Sequence, residues 1–218
     1  TGVYVAVSSG AGLSLFQALG MTVQDSTFTT AGIANSAVVL NQAHENLLSR
    51  VYARSPDGDA AYVLNSHRNR IEHSTFTSNS AYRAIDSITS SSNVYEVVLA
   101  SNPAGTAVYW YLSPHSTFTM STAAASYGGI AMHVEGSTGV LIDRSYIANA
   151  TGNGLFLNGG SHGSTISFVT AVTSGTAGSA LGISFTSSVT VRDSFIHNFV
   201  GYGLSLSGER HTIMRSTF

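Results

Sequence analysis

The sequence contains no cysteine. Disulfides and thiolate metal sites are therefore excluded, although the compartment stays open. Only three prolines occur in 218 residues, which leaves little room for rigid linkers between domains. Charge is scarce too. Asp, Glu, Lys and Arg make up 9% of the chain and the formal net charge is −2, a balance unsuited to a nucleic-acid binder held by phosphate contacts. No apolar run approaches the roughly 18 residues of a membrane-spanning helix. The opening TGVYVAVSSG carries no initiating Met, basic region or cleavage site, so any targeting signal is expected to lie outside this sequence.

Against these absences stand 43% hydrophobic residues, too many for a disordered tail. Ser, Thr, Gly and Asn carry the polarity, so the expected surface is neutral and rich in hydroxyls. The length suits one domain, residues 1–218, or one run of repeats.

A repeat is present. Pairs of apolar residues five positions apart recur as Val23 and Phe28, Leu47 and Tyr52, Ile71 and Phe76, Val94 and Leu99, and onward to Ile213 and Phe218, in steps of 22 to 25 residues. Between them runs a second series of short alternating segments: GLSLF, VVLN, YVLN, IDSI, VYWY, MHVE, GLFLN, LGIS and GLSL, in steps of 23 to 26. Two series keeping one period predict about nine rungs of roughly 24 residues. The HSTF ending at Phe118 falls out of phase with the other STF motifs, placing Phe118 opposite Ile71. Alternation without sustained helical periodicity predicts an all-β coil in which each strand pairs in parallel with its equivalent one rung away. Parallel crossovers are right-handed almost by default.

This pattern resembles the repeat of the right-handed single-stranded parallel β-helix, the architecture of the pectate-lyase-like superfamily. The resemblance covers nearly the whole chain and concerns the fold; the scaffold carries lyases, hydrolases, epimerases, adhesins and stalks alike.

Alternation assigns the first and third residues of each segment inward: Leu13 and Leu15, Val38 and Leu40, Tyr62 and Leu64, Met132 and Val134, Leu155 and Leu157, Leu204 and Leu206. Asn41, Asn65 and Asn158 then share the outward fourth position and are expected to hydrogen-bond along the axis. The outward second position reads Ser14, Val39, Val63, Asp86, Tyr109, His133, Phe156, Gly182 and Ser205. On the middle rungs this face gathers Asp86, Tyr109, Tyr111, His133, Glu135 and Phe156, a candidate binding site in which flat rings and directional hydrogen-bonding groups suit a sugar or a partner's side chain. The competing reading is aromatic stacking that merely packs the coil.

Catalysis is harder to place. Asp86 and Glu135 sit two rungs apart, their backbones roughly 12 Å from each other by strand geometry, a poor fit to a glycosidase pair about 5 to 9.5 Å apart. Asp57 and Asp59 in SPDGDA would hold calcium only if further oxygens converged; DGD is also an ordinary turn. His44, Glu45, His67 and Arg70 lack zinc spacing. No metal or other cofactor is therefore expected. Asp193 and Arg215 are expected to pair as rung neighbours.

Two functions follow as expectations. One is an extracellular or cell-surface structural or adhesive β-helix, a stalk or filament segment with a face for a glycan or protein. The alternative is a carbohydrate-active enzyme, a polysaccharide lyase or glycoside hydrolase. An ice-binding threonine ladder is disfavoured because the position after the repeated Ser alternates. The two ends are complementary in phase, which fits either a segment of a longer β-helix or subunits stacking head to tail with Phe218 near the next Thr1.

Overall fold

The computed structural model describes residues 2–218 and is all-β. Every inter-strand pairing within its sheets is parallel and links a segment to its equivalent on the next turn. One face is a nine-stranded sheet built from the alternating segments, running from Leu13–Phe16 through Val108–Tyr111, Ile130–Glu135 and Asn153–Asn158 to Tyr202–Glu209. The second sheet has 16 strands in two arms, joined where Thr22–Thr30 and Leu47–Ser55 run through both. Its first arm continues from Arg70–Glu72 to Thr212–Met214, and its second from Thr75–Ser78 to Phe195–Asn198. Each turn thus crosses three faces around one apolar interior. Phe118 pairs with Tyr95 and Ile142 in the column of Ile71, as its phase requires.

The corners are made by residues with positive φ. Between the two arms these are Asp25, Arg50, His73, Val97, Met120, Arg144, Phe168, Asp193 and Arg215, all between 44° and 53°. Further columns of the same conformation follow the nine-stranded sheet, including Asn65, Thr89 and Leu112, and then Glu45, Arg68 and Ser92. A left-handed L-residue costs roughly 1–2 kcal/mol, and stacking offsets the cost. Corner N–H groups still find carbonyls on the next rung, as in His73 to Glu96 at 3.0 Å and Asn65 to Ile88 at 3.1 Å.

The serine after the corner, the first letter of STF where that motif is in phase, completes the corner from inside. Ser74 and Ser121 are buried, each donating its hydroxyl to the carbonyl two residues back at 2.6 Å. Each also accepts the N–H of the preceding rung, from Val51 at 3.0 Å and Val98 at 2.9 Å. A polar group inside an apolar coil is tolerated because both its functions are met.

Three expectations need correction. On the third rung Ala61 and Val63 face inward, whereas Tyr62 and Leu64 face outward, because Val38 pairs with Ala61 and Leu40 with Val63. The pairs Leu47 and Tyr52, and Val94 and Leu99, are likewise one residue early. Leu48 and Ala53, and Tyr95 and Ala100, hold the interior with no exposed surface, while Tyr52 and Leu99 point out. The expected Asn41, Asn65 and Asn158 ladder does not form: Asn65 is an exposed positive-φ corner and Asn158 accepts from His133. An asparagine ladder lies instead in the interior, where Asn46 donates to Asn69 and Asn69 to Asn93 through backbone and side-chain N–H. The remaining inward assignments agree, although Leu206 on the last rung is 44% exposed. Stacking of Phe218 against a second copy's Thr1 involves a residue outside the described range. No helix among the described residues is long and apolar enough to cross a membrane.

Candidate functional site

Alternation on the nine-stranded sheet brings the expected side chains together. Register runs Tyr62, Asp86, Tyr109, His133, Phe156 and Gly182 along one outward column, with Tyr111 beside Glu135 in the next. All six predicted residues therefore share one face. Tyr62 replaces Val63 in the column, and Leu64 replaces Asn65 in the column beside it.

The rings of this column contact one another. Tyr109 and His133 lie 5.0 Å apart between centroids, and His133 and Phe156 5.5 Å. Phe156 continues over Gly182, where a Cβ would come within 2.5 Å of the ring. Glycine is required there by close approach. The Tyr109 hydroxyl donates to a Glu135 carboxylate oxygen at 2.8 Å, and burial, then that carboxylate, hold the phenol well above its ordinary range. His133 Nε2 sits 3.0 Å from the Asn158 amide oxygen and 3.9 Å from Glu135. Burial keeps its imidazole less basic than usual despite both neighbours. Tyr111, at 37% exposure, presents the most open ring of the six.

Asp86 behaves differently from an ordinary surface carboxylate. Although its side chain leaves the outward side of its strand, the residue is 4% exposed, lying in register between Tyr62 and Tyr109. Oδ1 is buried without a hydrogen-bond partner, and Oδ2 lies 3.7 Å from an Arg83 guanidinium nitrogen. Burial, reinforced by the nearby Asp59 charge and only partly opposed by Arg83, raises its pKa from 3.8 to about 7. Arg83 also covers the Tyr109 ring at 5.2 Å.

Asp59 joins this cluster. It is buried, accepts the Arg83 backbone N–H at 2.8 Å, and is itself raised by burial. Tyr62, Asp59 and Arg83 are not among the expected site residues. The inward Ala61, which shifts the third rung by one, is the signal that would reveal Tyr62, whereas Asp59 and Arg83 precede their strands and carry no such signal. The remaining polar candidates are corner contacts: His44 stacks on His67 at 5.1 Å, and Arg68 donates to Glu45. Asp193 and Arg215 pair through two hydrogen bonds at 2.6 and 2.8 Å, as expected.

The chain belongs to the right-handed β-helix family. A family model described as the right handed beta helix region matches residues 83–218. Among solved structures it is similar to the mannuronan C-5 epimerase AlgE4 A-module of Azotobacter vinelandii, with a TM-score of 0.66 at 12% identity, covering 99% of this chain and 68% of that one. The AlgE6 A-module from the same organism matches with a TM-score of 0.50 at 12% identity, covering 98% of this chain and 79% of that one. At such identity the likeness shows the fold alone. No curated protein matches the sequence.

Proposed function

We propose that this chain is an extracellular or cell-surface β-helical binding module, a rigid adhesive rod whose nine-stranded sheet takes a glycan. The observation that carries the reading is the gathering of Tyr111, Glu135, His133 and Arg83 on one face of the middle rungs. Tyr111 offers an apolar ring to a pyranose, and the carboxylate, imidazole and guanidinium around it supply directional partners for sugar hydroxyls. Tyr109, His133 and Phe156 form the stacked floor beneath. Glycan-array binding tests the reading: replacing Tyr109 and Tyr111 with Ser should abolish retention of the glycan found while leaving the fold intact. Unchanged affinity rejects the site.

A second reading, a carbohydrate-active enzyme, draws on one observation. Asp86 holds its proton near neutral pH in the centre of the same face, as a general acid must; the two A-modules named above are described as mannuronan C-5 epimerases, a likeness of fold. Turnover assays on uronic-acid polysaccharides, with and without calcium, separate the two. Product formation that disappears in Asp86→Asn would favour the enzyme.

A further inference from the structure

The second arm of the 16-stranded sheet carries an outward column of a different kind. Pairing places Tyr52 beside Thr75, Thr75 beside Leu99, Leu99 beside Thr122, Thr122 beside Tyr146, Tyr146 beside Thr170 and Thr170 beside Phe195. Bulky apolar residues and threonines alternate without exception over these rungs. Tyr52, Leu99, Tyr146 and Phe195 are 37–44% exposed. On the nine-stranded sheet consecutive rings cover one another; here a threonine separates each bulky side chain from the next, leaving its face open. Alongside runs a lane of small residues, Thr77, Ser101, Ala124, Ala148 and Val172. No formal charge lies in the column or the lane between Thr75 and Thr170.

We infer that this face is a binding lane for a neutral, extended β-1,4-linked glycan lying along the coil axis, one pyranose per rung. The period carries the argument. Bulky side chains recur every second rung, about 9.6 Å at the ordinary strand spacing. In an extended β-1,4 chain alternate sugars are turned over, so equivalent ring faces recur every second unit over nearly the same distance. One face of a sugar packs on Leu99 or Tyr146, and the opposite face of the next, turned over, lies across Thr122, whose hydroxyl can donate to and accept from the hydroxyls at that sugar's rim. The middle rungs, uncharged in both column and lane, match a neutral polymer; Arg54 stands in the lane only at its Tyr52 end. Sheet hydrogen bonds along the face are already made between rungs, so a polypeptide strand gains no backbone pairing there. The lane lies on another face than the aromatic cluster of the nine-stranded sheet and does not depend on the function proposed for it.

Calorimetric titration of the whole chain with β-1,4-linked glucose and N-acetylglucosamine oligosaccharides tests this, with α-1,4-linked maltohexaose and a polyuronate as controls. Affinity should rise from disaccharide to hexasaccharide as successive rungs engage, and the controls should not bind. Replacing Leu99 and Tyr146 together with Thr should weaken hexasaccharide binding about a hundredfold, roughly tenfold for each sugar left without its stacking side chain. Thr122→Val, which keeps the shape and removes the hydroxyl, should weaken it several-fold. Both variants alter surface positions, and circular dichroism checks that they fold. Absence of binding to either β-1,4 hexasaccharide, equal affinity for maltohexaose, or an unchanged affinity in the Leu99 and Tyr146 variant would overturn the inference. Loss of binding in Tyr109→Ser and Tyr111→Ser with the lane variants silent would overturn it as well, assigning the glycan to the nine-stranded sheet.

Discussion

Replacing Asp86 with Asn should stabilise this protein in alkaline solution and leave it nearly unchanged in acid. In the folded chain the carboxyl keeps its proton up to about pH 7, against 3.8 for an ordinary aspartate. Between those values the native state binds a proton that the unfolded state has released. Stability contributed by the group is therefore fully present below about pH 4, falls as pH rises through the window, and is lost above 7. At about 1.4 kcal/mol per tenfold change in proton affinity, the interval corresponds to at most roughly 4 kcal/mol. Asparagine has nearly the same shape and no charge to desolvate. It gives up the attraction of Arg83, which at 3.7 Å and with a partly exposed guanidinium is a small loss.

Urea unfolding followed by circular dichroism at pH 4 and pH 8 measures the difference directly. Asp86→Asn should exceed the parent by about 2–4 kcal/mol at pH 8 and match it closely near pH 4. Other groups titrate nearby with other signs. His133 and His67 are less basic than usual, so they remove stability as pH falls below the ordinary histidine range. Asp25, Glu72 and Asp193, held low by their arginine partners, do so only in stronger acid. These terms are common to parent and variant and cancel in the comparison. Asp59 is the exception: its charge helps hold the Asp86 proton, so Asp59→Asn should move the Asp86 transition to lower pH. Parent and variant curves that run parallel from pH 4 to 8 would refute the reasoning.

Three further outcomes follow from the packing. Leu157 is fully buried between Val134 and Ile183 on the neighbouring rungs, so Leu157→Asp buries an unpaired carboxylate and should cost more than about 4 kcal/mol; an unaltered dichroism spectrum and melting curve would mean that the inward assignment is wrong. Asn69→Ala leaves the Asn46 backbone and side-chain N–H without their shared acceptor and should cost about 2–4 kcal/mol in thermal or chemical unfolding, whereas an undisturbed Tm would show the ladder to be dispensable. Gly182→Val drives a side chain into the Phe156 ring and should cost about 1–3 kcal/mol; Phe156→Ala in the same chain should recover much of it, and failure of that rescue in denaturant titrations would assign the cost elsewhere.

The six expected site residues can be found from sequence because alternation is reliable within a strand. From Ile85 to Asn158 the segments IDSI, VYWY, MHVE and GLFLN align without a shift, and Asp86, Tyr109, Tyr111, His133, Glu135 and Phe156 reach one face as a result. What alternation does not reveal is depth. Nothing in the letters IDSI marks Asp86 as nearly buried while Glu135, on the same face, is half-buried. That difference arises from Tyr62 on the preceding rung and from Asp59 and Arg83, which lie just ahead of their strands, where no periodicity points.

The one-residue errors share a physical origin. Each turn carries left-handed residues at one position between the two arms and at two positions after the nine-stranded sheet, and among L-residues that conformation can be taken by Asp, Arg, Val, Met or Phe once stacking enforces it. A corner therefore carries no fixed letter, and rung length drifts by a residue or two without penalty. Where the inward residue is large the drift is visible, as at Phe118. Where it is alanine, as at Ala53, Ala61 and Ala100, the neighbouring Tyr52, Tyr62 or Leu99 looks like the core residue instead. The same slip separates Asp25 from its partner. A step of 24 residues from Asp25 falls on Ser49, whereas the register sets Arg50 at that corner, and its guanidinium engages both carboxylate oxygens of Asp25. The pairing repeats at Asp193 and Arg215 near the other end of the coil. Opposite charges placed on successive left-handed corners penalise a rung that slides by one, because the shifted neighbour would be Ser49 or Ser216. An exposed pair adds at most about 1 kcal/mol to stability, but it favours a single register where an apolar column of Ala, Val and Ile tolerates more than one.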